Sequence, residues 1–370
     1  MQETASLKRT PLYDRHVALG GKIVDFAGWA LPVYYKSIIE EHLWVRESCG
    51  IFDVSHLGEI RVQGPGAERF LQLRLTQDLR KVSDGRMIYS LLCDEKGRTL
   101  DDILVYRESA ESYYLVVNAS NIARDYEALR RYCPDEVTLT DQSDSTACVA
   151  VQGPRSEEAV RRVLGIELKD LPYYAYTAAK IGGDTAWISR SGYTGEDGFE
   201  FFVKPQTALT VWDKFVTAGE REGIKPCGLG ARNTLRLEAG NPLYGHEMDE
   251  TTTPLEAGLG FAVSFDKGAF VGRDILSLQK EEGPRRKIVG FRLADRSVAR
   301  DGYPVFAGER KVGKVTSGSF APSVGASIGM ASIESSLAVV GKALEIEIHG
   351  RRVAAEIVKR PFVPLRHKRS

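Results

Sequence analysis

The sequence predicts an α+β protein of antiparallel sheets with flanking helices, followed by a β-rich carboxy-terminal domain. Three observations carry that expectation. Helical and strand-like stretches are mixed along the 370 residues without the regular β-α-β alternation of a parallel sheet. Val62-Gln63-Gly64-Pro65 and Val151-Gln152-Gly153-Pro154 echo one another, each ending a strand-like run and preceding a helical one. They suggest two related half-modules, with a chance repeat of Gly-Pro turns as the competing reading. Beyond Gly283-Pro284 the helical signal fades while strand-like runs and glycine turns continue to the end, so a third domain is expected there.

In chain order, apolar residues recur at helical spacing over 37–48, 67–75, 122–132, 157–164, 208–222 and 229–239. Alternation of period two marks strands at 57–62, 87–92, 102–107, 113–118 and 146–151, then at 185–191, 198–203, 286–293 and 344–358. A chain of this length implies two or three domains.

Fifty basic residues balance fifty acidic ones, which argues against nucleic acid as a partner. No apolar run approaches the ~18 residues needed to cross a membrane. The stretch from Met1 to Arg9 lacks the apolar core of a signal peptide. The five cysteines (Cys49, Cys93, Cys133, Cys148 and Cys227) are scattered and form no Cys-x-x-Cys. Reduced cytoplasmic thiols are expected rather than a disulfide frame or zinc site. The histidines are equally dispersed, so no metal site is expected.

The most informative feature is the pair Asp101-Asp102 at the start of an apolar strand-like run. Alternation puts Asp102, Leu104 and Tyr106 on one face and Asp101, Ile103 and Val105 on the other. Only one carboxylate can then face a given cavity, although acids at a loop-to-strand junction can also be plain decoration. The run 113–118 is the expected hairpin partner. One register sets Asn118 across from Asp101, and a one-residue shift sets it across from Asp102. Further on, Gly192, Gly195 and Gly198 mark a tight turn before the aromatic strand Phe199-Glu200-Phe201-Phe202. Glu200 is either on a solvent face or bound to a ligand, and its two acceptor oxygens match the N–H edge of a heterocycle such as a pterin or purine. Arg232 and Arg236 share a helix face. They can receive a carboxylate or be paired within the fold. No nucleophile motif, phosphate loop or dinucleotide fingerprint is present.

Taken together, these segments resemble the aminomethyltransferase (T-protein) family of the glycine cleavage system. The resemblance runs from Thr10-Pro11-Leu12-Tyr13 to Pro361-Phe362-Val363. Its landmarks include Phe52-Asp53-Val54-Ser55-His56, Leu100-Asp101-Asp102, Val116-Val117-Asn118-Ala119, Gly192-Tyr193-Thr194-Gly195-Glu196 and Gly228-Leu229-Gly230-Ala231-Arg232. It implies a three-domain cloverleaf around a central folate channel, with a barrel-like third domain. The implied division is 1–52 plus 140–240, then 53–139 plus 241–282, then 283–370. It also implies transfer of the methylene carbon from the aminomethyl-dihydrolipoyl arm of H-protein to tetrahydrofolate, releasing ammonia. H-protein, acting with the P- and L-proteins, is the implied partner and tetrahydrofolate the co-substrate, in the cytoplasm, without metal. Asp102 maps to the catalytic carboxylate, the member of the pair that alternation sets on one face with Tyr106. Folate contacts map to Asn118, Tyr193, Glu200 and Arg232, with Leu57, Tyr89 and Tyr174 beside them, and Tyr106, on the face of Asp102, is counted with these folate-binding residues.

Three positions depart from the family pattern: Leu57 for methionine, Arg98 for the second glycine of a pair, and Asn233 for aspartate. The first conserves volume. Arg98 brings a cation near the channel or its rim, and Asn233 weakens an ion pair that aspartate would make with an arginine such as Arg236. A folate-dependent demethylase shares the fold. A folate-binding iron–sulfur maintenance protein does too, but its hallmark cysteine is missing from Lys267-Gly268-Ala269-Phe270. The basic run Arg285-Arg286-Lys287 can meet an acidic carrier surface or simply begin a solvated strand.

Overall fold

The computed structural model describes residues 7–368. Residues 1–6, part of the stretch read above for a signal peptide, lie outside the described residues. A six-stranded sheet runs in the order Tyr176–Ile181, Asp184–Ser189, Gly198–Val203, Ala147–Gln152, Cys49–Asp53, Ile224–Pro226. Its last pair is parallel and the others are antiparallel. Helices Ser156–Leu164 and Pro205–Glu222 cover one face, where Val160, Trp212 and Phe215 pack on Ile51, Val149 and Phe201. Each fully buried phenylalanine there contributes about 1.5–3 kcal/mol.

The second sheet is antiparallel throughout: Arg86–Cys93, Thr99–Ser109, Ser112–Val117, Gly58–Gln63, Thr138–Asp141. Helices Ala67–Arg74 and Ile122–Arg130 lie on its outer face, with Phe70, Leu71 and Leu129 against Ile60, Ile103 and Leu115. The inner faces of the two sheets meet through Phe52, Tyr106, Tyr114, Cys148 and Phe202, with Ala231 and Leu235 of helix Leu229–Glu238.

The Val-Gln-Gly-Pro echo is one corner used twice. Gly64 and Gly153 adopt φ of 131° and 135° at matching strand-to-helix junctions. A Cβ at either would sit 2.0 Å from the Glu136 carbonyl oxygen or 2.3 Å from that of Ser48. Only glycine fits that approach.

After helix Arg273–Glu282 the chain forms a closed six-stranded barrel, in the order Arg286–Leu293, Ala326–Glu334, Arg310–Ala321, Pro304–Ala307, Ala343–Ile348, Arg351–Val358. The expected single strand over 344–358 is therefore two, folded back at His349 and Gly350, both with positive φ. Two short alternating runs around a tight turn read as one long run. Helix Arg273–Glu282 escaped the periodicity test because it buries only Leu276 and so has no apolar stripe. The amino-terminal hairpin, Ile23–Phe26 with Trp29–Pro32, was also not foreseen. Its turn is held by Gly28 N–H donating to Asp25 Oδ1 at 2.9 Å.

Candidate active site

The aspartate strand sits inside its sheet, between Arg86–Cys93 and Ser112–Val117. Alternation sends Asp101, Ile103 and Val105 into the buried helix-covered side, at 0%, 3% and 1% exposure. Asp102 and Leu104 face inward and line a cavity of about 630 Å³. Leu104 pairs with Val116, which extends to Asn118 opposite Asp102, the second of the two registers left open above. The Asn118 amide nevertheless holds both acids. Its Nδ2 donates to Asp102 Oδ1 at 2.9 Å and to Asp101 Oδ1 at 2.8 Å, and its backbone N–H donates to Asp101 Oδ2 at 3.0 Å.

Asp101 also accepts from Asn121 Nδ2 at 2.6 Å. Behind it lies buried Asp125, pushed well above the usual carboxylate range by burial and then by the charge of Asp101. Asp102 is enclosed by protein but keeps its surface toward the cavity. Burial first, and then the Asp101 charge, push it up to about 7. The Tyr89 hydroxyl, donating to Asp102 Oδ2 at 2.9 Å, and Asn118 pull the other way. A cavity carboxylate poised near neutrality can meet a developing positive charge or move a proton.

Across the cavity, Glu200 accepts from Ser191 Oγ at 2.5 Å, and the described residues offer its Oε1 no partner. Arg232 lies over the Tyr193 ring at 4.8 Å, and the Tyr193 hydroxyl donates to the Pro242 carbonyl. Asp102, Asn118, Tyr193, Glu200, Arg232, Leu57, Tyr89 and Tyr174 thus all line one cavity, from positions far apart in sequence.

Tyr106 does not. It is buried between the sheets, 5.6 Å from Phe202 and 6.1 Å from Tyr114 between ring centroids. The face that alternation assigned is right, but four residues beyond Asp102 the strand has run from the cavity into the inter-sheet packing. Tyr106 backs the site indirectly: its hydroxyl donates to Ser189 Oγ at 3.2 Å, Ser189 bonds Ser191 at 2.7 Å, and Ser191 holds Glu200.

Arg236 is separated from Arg232 by burial. It is locked to Glu247 at 2.9 Å and to Ser317 Oγ at 2.8 Å, the paired alternative read above. Arg98 pairs with Asp94 at 2.6 Å and is absent from the cavity wall. Sequence reasoning missed Phe26, His56, Tyr173, Phe261, Arg360 and His367 as lining residues. His56 stood within a landmark motif. Burial, with Arg232 nearby, holds it down at about 4 and therefore neutral. Phe26 stood within another landmark of the resemblance, Val24-Asp25-Phe26-Ala27-Gly28-Trp29, and the remaining four carried no local signal, since loop and chain end reach the cavity only through the fold.

Residues 12–267 match the GCVT N-terminal domain model, and residues 286–364 match the glycine cleavage T-protein C-terminal barrel domain. The chain belongs to this glycine cleavage T-protein family. An aminomethyltransferase of Symbiobacterium thermophilum is 47% identical over 372 residues, covering 98% of this chain and 99% of the relative. One from Thermoanaerobacter sp. (strain X514) is 46% identical over 366 residues, covering 98% and 100%. The crystal structure of glycine cleavage system aminomethyltransferase T from Bartonella henselae superposes with a TM-score of 0.92 at 33% identity, covering 98% of this chain and 99% of that one. The activity of the chain is accordingly aminomethyl transfer in the glycine cleavage system, a transferase step of glycine catabolism and one-carbon metabolism.

Proposed function

We propose that the cavity receives tetrahydrofolate and the aminomethylated dihydrolipoyl arm of H-protein, with Asp102 as the catalytic carboxylate. The transferred carbon exchanges its bonds to sulfur and to the amino nitrogen for bonds to N5 and N10 of the folate. The two protons leaving those nitrogens depart on the freed thiol and on ammonia, so atoms and charge balance. The observation that carries the reading is the setting of Asp102. Each of its oxygens takes one protein donor, Tyr89 or Asn118, and keeps acceptor capacity toward the cavity. Fixed in a low-dielectric wall, its negative charge favours a cationic methylene-iminium over the neutral reactants.

Glu200, steadied by Ser191, accepts from the pterin N–H edge, while Asn118, Tyr193, Arg232, Leu57, Tyr89 and Tyr174 surround the folate. Tyr106 acts only through the serine pair. The division into two sheet-centred domains and a barrel domain belongs to the same reading, supported by the separate cores of the sheets and the barrel. So does a cytoplasmic setting beside the P- and L-proteins, supported by five cysteines free of disulfides.

The test is ammonia and 5,10-methylenetetrahydrofolate formation from purified aminomethylated H-protein. Asp102→Asn should slow ammonia release by roughly 10²–10⁴-fold. A rate within about threefold of the parent would end the role given to Asp102.

A further inference from the structure

The Val-Gln-Gly-Pro corner occurs twice, but its glutamine has two different fates. Gln63 ends its strand on the surface, where Nε2 donates to Ser112 Oγ across 3.4 Å. Gln152 ends strand Ala147–Gln152 with 0% exposure, although the glycine that follows turns the chain at nearly the same φ, 135° against 131°. The corner itself therefore does not require a buried glutamine. A primary amide is costly to bury unless its donor and its acceptor are both used.

Both are used, and by one loop. Residues 190–197 connect strands Asp184–Ser189 and Gly198–Val203 without helix or strand of their own. Gln152 Nε2 donates to the Ser191 carbonyl at 2.9 Å, and Thr194 Oγ1 donates to Gln152 Oε1 at 2.8 Å. The amide thus spans the stretch that contains Tyr193. Two glycines make room for it. A Cβ on Gly192 would lie 2.0 Å from Gln152 Oε1, and one on Gly198 would lie 2.3 Å from Nε2. Neither glycine has a positive φ, so these positions are small to admit the amide and not to relieve the backbone.

This loop is where the cavity meets Glu200. Ser191, gripped at its carbonyl by Gln152, donates its hydroxyl to Glu200 Oε2 at 2.5 Å. Gly192 and Tyr193, between the two residues bonded to Gln152, line the cavity. Gln152 itself is absent from the cavity wall, so any influence on a ligand passes through these residues. A loop without a ladder of its own holds its side chains only as firmly as such bonds allow.

We propose that Gln152 is a positioning residue of the transfer reaction, its amide fixing loop 190–197 so that Ser191 aims Glu200 at the pterin. This rests on the reading of the cavity as a tetrahydrofolate site and adds what sets its selectivity for the pterin N–H edge.

The test measures dissociation constants of the full chain for tetrahydrofolate and for 2-desamino-2-methyltetrahydrofolate, in which a methyl group replaces one N–H donor of the pterin edge. The parent should prefer tetrahydrofolate by about tenfold or more, the loss expected when a carboxylate goes without a donor. Binding of neither, or equal binding of both, by the parent would overturn the reading of Glu200 and the proposal with it. Given a parental preference, Gln152→Met keeps the volume and removes both bonds. It should cut the preference to about threefold or less, while kcat at saturating tetrahydrofolate changes by less than about threefold. Gln63→Met should leave the preference as it is in the parent. A preference is a ratio within one protein, so a smaller folded fraction or a lower melting temperature does not move it. Should Gln152→Met fail to fold, Thr194 decides: Thr194→Val removes the hydroxyl at nearly the same shape and should lower the preference, and Thr194→Ser should restore it. A parental preference in Gln152→Met or, if that variant does not fold, in Thr194→Val would overturn the proposal, as would an equal loss in Gln63→Met.

Discussion

The Tyr89 hydroxyl donates to Asp102 Oδ2 across 2.9 Å, while the same ring stacks on Phe261 at 5.9 Å between centroids. One side chain therefore joins the aromatic mouth of the cavity to the carboxylate in its wall. A hydrogen bond to the ionised acid favours ionisation, and burial opposes it. Removing the hydroxyl leaves burial unopposed at that oxygen. Tyr89→Phe should move the apparent pKa governing kcat/KM for tetrahydrofolate upward from about 7 and lower the rate at pH 7 several-fold. A pH–rate profile superimposable on the parent's would show that this hydrogen bond does not tune the site.

The elevated Asp102 value has two consequences of opposite direction. For catalysis the ionised form is the useful one, so kcat/KM should rise with pH through about 7 and level off above it. For stability the sign reverses. The folded state holds a proton that the unfolded chain, near its ordinary 3.8, has already lost. That contribution is complete below about 4 and disappears as pH rises through about 7. The ligand-free protein should therefore lose thermal stability between pH 5 and pH 8, and Asp102→Asn should make the loss shallower. An Asp102→Asn melting profile parallel to the parent's would remove Asp102 as its source.

The paired glycine corners invite a direct comparison. Gly153→Ala places a methyl group 2.3 Å from the Ser48 carbonyl oxygen at a φ of 135°. Strain of this kind costs about 1–3 kcal/mol before the clash is counted. Urea denaturation should show a loss of at least about 3 kcal/mol, and Gly64→Ala should behave alike because its φ and its carbonyl neighbour match. A loss under about 1 kcal/mol at either position would mean that the corner relaxes freely.

Asn233 Oδ1 accepts from Arg236 Nε at 2.9 Å, beside the Arg236–Glu247 pair. Asn233→Asp converts a neutral hydrogen bond into an ion pair at an exposed position. It should stabilise the protein by about 0.5 kcal/mol without altering folate affinity, because Arg236 is outside the cavity wall. An unchanged urea midpoint would discard the ion-pair argument for this position.

What the sequence alone determined is local in origin. Alternation of period two needs only neighbouring residues, so the faces of Asp101 and Asp102 could be separated without a structure. The Gly-Pro echo likewise marked two real corners, and the helical stretch around Arg232 was legible from its own spacing. Register is not local in this sense. Asn118 could be set beside Asp102 only once the pairing of Leu104 with Val116 was known. The limits of a face are not local either. Tyr106 shares a face with Asp102, yet only the approach of the first sheet decides that Phe202 and Tyr114 cover it while Asp102 stays open. The same holds for charge. Asp125 near Asp101 and Arg236 against Glu247 are facts about groups brought together across the chain. An electrostatic environment is set by distance in space, and spatial distance is what a linear sequence does not contain.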